Sequence, residues 1–107
     1  MHVQIRGDRP ASEDLKEHVS RHLYFALSRY SGRIDWVHVA LRDENGPRGG
    51  LDKTCRVAVH LPRLQPVLVT ESASNWFEAS ARAAERAGRA VARALDRTRD
   101  HHQAPAA

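Results

Sequence analysis

The chain has 107 residues, with 17 Lys and Arg against 13 Asp and Glu, for a formal net charge of +4. This length suits one domain with a modest core and excludes multidomain cofactor-dependent enzymes, while the basic balance favours an acidic partner such as nucleic acid or a membrane surface. No apolar run approaches the length of a membrane span, and the N-terminus lacks the apolar core of a signal peptide, so we expect a cytoplasmic protein.

The first half of the chain predicts a strand, a helix and a second strand. Residues 2–6, "HVQIR", alternate polar and apolar side chains and are followed by turn residues, which is typical of a short strand. Ser12 is a suitable N-cap for a helix, and Gly32 lies where that helix should end. Residues 34–42 are rich in β-branched and aromatic side chains and predict the next strand. The apolar row of the helix consists of Leu15, Val19, Leu23, Ala26 and Tyr30.

The second half predicts two more strands and a long helix. The loop "DENGPRGGLD" separates the strand at 34–42 from one at 53–61, and "PRLQ" separates that strand from one at 66–71, so residues 34–71 form a three-stranded meander. Ser72 or Ser74 is expected to cap a helix over about 75–97. We therefore predict a single α+β domain over residues 1–98 and a disordered tail over 99–107.

The predicted element order is β-α-β-β-β-α. The simplest architecture for this order is a four-stranded sheet with both helices packed on one face and the other face open.

Candidate catalytic and metal-binding residues form no specific motif. Cys55 shares the strand parity of core valines and should be buried, whereas His60 has the opposite parity. His101 and His102 are adjacent on the predicted tail, without a Cys or carboxylate partner for a closed metal site. The glycines at 46, 49 and 50 do not fit a phosphate-binding loop. We therefore predict no enzymatic activity, no metal and no cofactor.

The last helix carries arginines in a strict row. Their spacing of four, three, four and four residues confines them to a sector of about 80° and about 23 Å of helix axis, opposite an apolar row that contains Phe77, Ala84, Ala87, Val91 and Leu95. A solvated surface helix shows the same pattern, but five guanidinium groups in a row also suit a run of phosphates. The row, hereafter the arginine stripe, consists of Arg82, Arg86, Arg89, Arg93 and Arg97.

The predicted open sheet face is the second candidate surface. A Trp ring among cations there is suited to stacking on bases or to anchoring a partner protein, and it is equally suited to covering bare sheet. By strand parity this face carries Gln4, Arg6, Trp36, His38, Arg42, Arg56 and His60.

The element order and the segments "YSGRIDWVHVAL", "GGLDKTCRVAVHL" and "SNWFEASARAAERAGRAVAR" together resemble the ribosome hibernation-promoting factor and ribosome-associated inhibitor family, also called sigma-54 modulation proteins. The resemblance covers about residues 1–97 and implies a fold similar to double-stranded RNA-binding domains. It also implies binding to the small ribosomal subunit in the channel used by messenger and transfer RNA, and inhibition of translation by occlusion. The chain resembles the short form, which lacks the domain that pairs ribosomes.

The resemblance also implies which residues bind ribosomal RNA. The family's basic second helix corresponds to the arginine stripe, and its basic first helix corresponds to Lys16, Arg21 and Arg29. We expect a monomer whose partner is small-subunit ribosomal RNA. Two alternatives remain: a protein-interaction module that self-associates or binds a partner through the open sheet face around Trp36, and a generic binder of double-stranded RNA.

Overall fold

The computed structural model describes the backbone of residues 1–44 and 52–103 and the side chains as far as Arg99. The predicted α+β element order is confirmed. The elements are β1 (His2–Gly7), α1 (Glu13–Leu27), a short 3-10 helix (Ser28–Arg33), β2 (Trp36–Asp43), β3 (Lys53–His60), β4 (Val67–Ala73) and α2 (Trp76–Gln103). The loop glycines at 46, 49 and 50 lie outside the described residues.

The four strands form one sheet in the order β1-β2-β3-β4. β1 runs parallel to β2, and the other neighbours are antiparallel, with Trp36 opposite His60 and Val57 opposite Val69. A parallel pair needs a crossover connection, and α1 supplies it between β1 and β2. Both helices lie on one face of the sheet, as predicted, because their apolar rows and the inward-facing strand residues share one buried cluster.

The first helix starts as its sequence predicts and ends earlier. Ser12 Oγ accepts a hydrogen bond from the Leu15 backbone N–H at 3.1 Å, which caps the N-terminus of the helix. The α-helix ends at Leu27, and the chain then tightens into the 3-10 helix that contains Tyr30 and Gly32. The last turn before Gly32 is therefore 3-10 and not α-helical.

The second helix differs from its prediction at both ends. Asn75 Oδ1, and not Ser72 or Ser74, accepts the capping hydrogen bond, from the Glu78 backbone N–H at 2.8 Å. At the other end α2 continues to Gln103, six residues beyond the predicted end at Arg97. Residues 99–103, where the tail was expected to begin, lie in this helix, and no Gly or Pro interrupts them; residues 104–107 lie outside the described residues.

Phe77 also departs from the sequence prediction, which placed it on the core face of α2. Its side chain is 43% exposed and packs edge-on against the His18 ring, with a centroid distance of 5.0 Å. In the first turn of α2 it is Trp76 that packs against the core, and its indole Nε1 donates a hydrogen bond to the Arg42 carbonyl at 3.1 Å. Trp76 therefore holds the start of α2 on the sheet.

The two helices approach each other closely at Gly88. A Cβ atom added there would lie 2.9 Å from the Ala26 carbonyl oxygen and 3.3 Å from the Ala26 Cβ. Real Cβ atoms do not approach a backbone oxygen so closely, so a residue without a Cβ sets the spacing between α1 and α2 at this point.

Candidate nucleic-acid interface

The arginine stripe lies on the solvent side of α2. All five of its side chains are exposed, while Ala79, Ala83, Ala87 and Val91 on the other side of the helix are buried. The small alanine side chains let α2 lie close to the sheet, and the arginine side chains lie on the solvent-exposed side of the helix. The amphipathic pattern of α2 thus turns a continuous row of cations outward.

Two arginines of the stripe pair with carboxylates one turn earlier on the same helix. Arg82 bonds Glu78, and Arg89 Nη1 lies 2.7 Å from Glu85 Oε1. These i, i+4 pairs are exposed and screened by water, so each contributes only a few tenths of a kcal/mol, about 0.3–0.5. A phosphate therefore competes with these carboxylates at little cost.

Arg86 is held by the sheet. Its Nη1 donates to Glu71 Oε2 at 2.6 Å and to the Thr70 carbonyl at 3.0 Å, both on the edge strand β4. This guanidinium therefore ties α2 to β4 and occupies an outward backbone acceptor of an edge strand. Of the stripe, Arg86 is the residue with the clearest structural role.

Arg93 and Arg97 have a different environment from Arg86. Both are exposed, and among the side chains described up to residue 99 neither has a carboxylate within ion-pair distance. Among the described side chains, these two guanidinium groups are therefore the members of the stripe that a phosphate could bind without displacing a carboxylate.

A groove of about 1060 Å³ runs between α1 and α2 and joins the basic residues of the two helices. Arg21 and Arg29 line it from α1 and its 3-10 extension, and Arg82 and Arg89 line it from α2. Its floor is made of small residues, because the helices touch at Gly88. The four arginines are thus brought together from segments about 60 residues apart, and three of them form exposed ion pairs within their own helix: Arg21 with Glu17, Arg82 with Glu78 and Arg89 with Glu85.

Lys16 is not brought to this groove. It lies near the start of α1, where its Nζ is 3.8 Å from Glu13 Oε1, and it borders a separate shallow depression formed with the β1–α1 connection. Of the three basic residues predicted on the first helix, the structure therefore places Arg21 and Arg29 beside the stripe and leaves Lys16 apart.

Sequence reasoning missed Phe25, which also lines the groove. Its side chain is 90% exposed, against 48% for Tyr24 next to it. The spacing 21, 25, 29 puts Phe25 on the same helix face as Arg21 and Arg29, and this i, i+4 relation was the signal available in the sequence.

His22, another groove residue that was missed, has a lowered pKa. Burial lowers it most, and the neighbouring His18 and Arg21 add to the effect by repelling a protonated imidazole. His22 is therefore predominantly neutral at pH 7, and the positive charge of the groove comes from its arginines.

The open sheet face carries the residues that strand parity placed there. Trp36 stacks on His60 with a centroid distance of 3.6 Å and an interplanar angle of 11°, and His38 packs against the same indole at 3.9 Å. The pKa of His38 is lowered first by desolvation, and then by the nearby His60, Arg6 and His2. Trp36 is thus partly covered by the chain's own imidazoles.

Cys55, which was considered for catalysis, is placed unfavourably for it, and the side chains of His101 and His102 lie outside those that the structure describes. Cys55 is fully buried, and burial raises the pKa of its thiol to about 12, so the reactive thiolate is suppressed. Within residues 1–44 and 52–99 no three His, Cys, Asp or Glu side chains cluster closely enough to hold a metal ion. No helix in the described part of the chain is long and apolar enough to cross a membrane.

The fold is similar to that of two solved structures. A ribosomal subunit interface protein from Coxiella burnetii aligns with a TM-score of 0.72 at 16% identity, over 87% of this chain and 96% of that one. The N-terminal domain of Thermus thermophilus Protein Y aligns with a TM-score of 0.69 at 20% identity, over 87% of this chain and 98% of that one. At these identities the likeness shows a shared fold.

Comparison of sequences identifies the family. No curated protein sequence matches the chain. The profile of the family described as Sigma 54 modulation protein / S30EA ribosomal protein matches residues 3–99, which include β1 except its first residue, the other three strands, all of α1 and most of α2. The chain therefore belongs to this family of ribosome-associated, non-enzymatic factors.

Proposed function

We propose that the protein inhibits translation by binding ribosomal RNA of the small subunit through the face formed by α1 and α2. The observation that carries this proposal is the groove in which Arg21 and Arg29 meet Arg82 and Arg89. Membership of the ribosome-associated family supports a ribosomal partner, and the arginines of the groove are suited to RNA phosphates.

The chemistry of the face favours binding by RNA shape over reading of sequence. Guanidinium groups bind phosphate oxygens in a bidentate manner and do so without regard to the base. Arg93 and Arg97 extend the row along α2 beyond the groove. We infer that the face follows a folded RNA backbone, and that the bound protein acts by occupying a site on the subunit.

The open sheet face is the weaker candidate for an interaction surface. The Trp36 ring is already stacked on His60 and packed against His38, so a partner would gain little fresh aromatic area there. Arg42 and Arg56 lie further along the same face, and a partner that covered the whole face would also have to bury them. We therefore assign this face no partner, and we expect the protein to be monomeric.

Sedimentation with purified ribosomal subunits tests the proposal. The chain is expected to migrate with small subunits in a sucrose gradient at low salt and to stay at the top of the gradient at high salt, because the contacts are ionic. Excess free duplex RNA should not displace it if it recognises the subunit. A chain that stays at the top of the gradient at every salt concentration contradicts the proposal, and displacement by duplex identifies a generic duplex binder.

A further inference from the structure

Phe25 is an apolar ring that the protein leaves almost entirely in water. It is 90% exposed, whereas the other exposed aromatic side chains, Tyr24 and Phe77, are 48% and 43% exposed. Covering a phenyl ring is strongly favourable, so a ring held out on a regular helix is suited to a partner that covers it.

The surroundings of Phe25 restrict the nature of that partner. Arg21 precedes it by one helical turn, Arg29 follows it by one turn, and Arg82 and Arg89 line the opposite side of the groove. Arg21 pairs with Glu17, Arg82 with Glu78 and Arg89 with Glu85, all at exposed positions. A partner that covered the ring with apolar surface would bury these ion pairs together with Arg29, for which the described side chains provide no carboxylate, and burying such charges away from water is costly. The occupant must therefore combine a flat apolar face with negative charge.

We propose that this groove binds one unpaired ribonucleotide, with its base stacked on the Phe25 ring and the adjoining phosphates bound by the arginines around it. Every base offers a π-face to an aromatic ring, and a phosphate on each side of it offers acceptors for guanidinium groups. Bases inside a duplex are already stacked on their neighbours, so only a single-stranded or bulged segment presents such a face. This site deepens the proposed function and rests on it, because it specifies the kind of ribosomal RNA segment that the α1–α2 face binds.

A fluorescent single-stranded RNA tests the stacking step. The probe is a uridine hexamer with 2-aminopurine at a central position, whose emission is quenched when the modified base stacks on a ring. The intact protein is expected to quench it, and Phe25→Ala should bind the hexamer about 5- to 150-fold more weakly. Phe25→Leu, which keeps an apolar side chain but removes the π-face, should also abolish the quenching. Neither change should alter the salt dependence, since all the phosphate-binding arginines remain in place.

Tyr24→Leu is the matched control, because Tyr24 is a partly exposed aromatic residue on the same helix that does not line the groove. It should bind and quench as the unchanged protein does. If Phe25→Leu also binds and quenches normally, the groove is not a stacking site. If equimolar hexaglutamate displaces the hexamer, the groove binds acidic peptides. If light scattering shows a dimer that Phe25→Leu converts to a monomer, the groove is a self-association surface. Either result overturns the proposal.

Binding to small ribosomal subunits separates this inference from the function on which it rests. Weaker subunit binding by Phe25→Leu than by Tyr24→Leu supports both. Equal, tight subunit binding by both variants overturns the nucleotide site and leaves the proposed function standing. Failure of the unchanged protein to bind subunits, with Phe25-dependent quenching of the hexamer, overturns the proposed function and supports the groove as a single-strand site.

Discussion

Replacing Gly88 with Ala tests the close contact between the helices on which the groove depends. The added Cβ would lie 2.9 Å from the Ala26 carbonyl oxygen. Because that atom belongs to the backbone, relief requires α1 and α2 to move apart, and overpacking of this kind costs about 1–3 kcal/mol. The change also gains about 1 kcal/mol of helix propensity. The free energy of unfolding should therefore fall by about 0–2 kcal/mol, with a central value of about 1 kcal/mol.

Urea and thermal unfolding followed by circular dichroism measure this effect. A decrease of about 1 kcal/mol lowers the midpoint temperature of a domain of about 100 residues by roughly 4–8 °C. Gly32→Ala is the control, because nothing lies within 4 Å of a Cβ added there, and it should leave stability unchanged or raise it by up to about 1 kcal/mol. If Gly88→Ala is stabilised as much as Gly32→Ala, the helices are not as close as the structure places them.

Three further changes test the core, the edge strand and the open sheet face. Cys55→Ala should cost on the order of 1 kcal/mol through poorer packing, and the native thiol should resist alkylation. Because burial raises the pKa of this thiol from 9.0 to about 12, the stability of the unchanged protein should fall more steeply from about pH 9 towards 12 than that of the alanine variant, in which other groups such as Lys53 still titrate; equal pH profiles contradict the burial. Arg86→Gln should lower the free energy of unfolding by about 0.5–1 kcal/mol, because it removes the ion pair with Glu71. In a protein that already carries Glu71→Gln, the same change should lower it by much less; equal decreases in both proteins would show that the Arg86–Glu71 pair is not formed. Trp36→Ala should lower stability, because it removes the stack on His60, and should leave subunit binding unchanged. If the unchanged protein is a dimer in light scattering and Trp36→Ala is a monomer, the sheet face is a protein interface.

The sequence predicts the fold well because each element has a clear period. Alternation over β1 to β4 and the apolar rows of the two helices define which side of each element is buried, and that is enough to place the helices on one face of the sheet. The ends of the helices are less predictable. Whether the turn before Gly32 is α or 3-10, and whether Asn75 or a neighbouring serine caps α2, depends on small differences in local hydrogen bonding.

The candidate site is only partly predictable for a different reason. A helical wheel places the arginine stripe on one side of α2, but it cannot show that Arg86 meets Glu71, because that pairing depends on where β4 lies. It also cannot show that Arg82 and Arg89 share a groove with Phe25, because the groove exists through the approach of α1 to Gly88. Which cations lie together is determined by contacts between segments that are distant in the sequence. The periodicity of a single helix does not predict such contacts.

The salt dependence of small-subunit binding tests the central claim most directly. In the helix-face variant, Gln replaces Arg89, Arg93 and Arg97. In the control variant, Gln replaces three exposed arginines of the opposite sheet face, so the net charge of the two variants is lowered equally. The helix-face variant should bind more weakly. Its plot of log affinity against log salt concentration should have a slope that is shallower by about one unit for each phosphate that is no longer neutralised, while the control variant should keep the slope of the unchanged protein. The control positions are Arg6, Arg42 and Arg56. If the sheet-face variant has the flatter slope and the helix-face variant keeps the original one, the RNA-binding face has been assigned to the wrong side of the molecule.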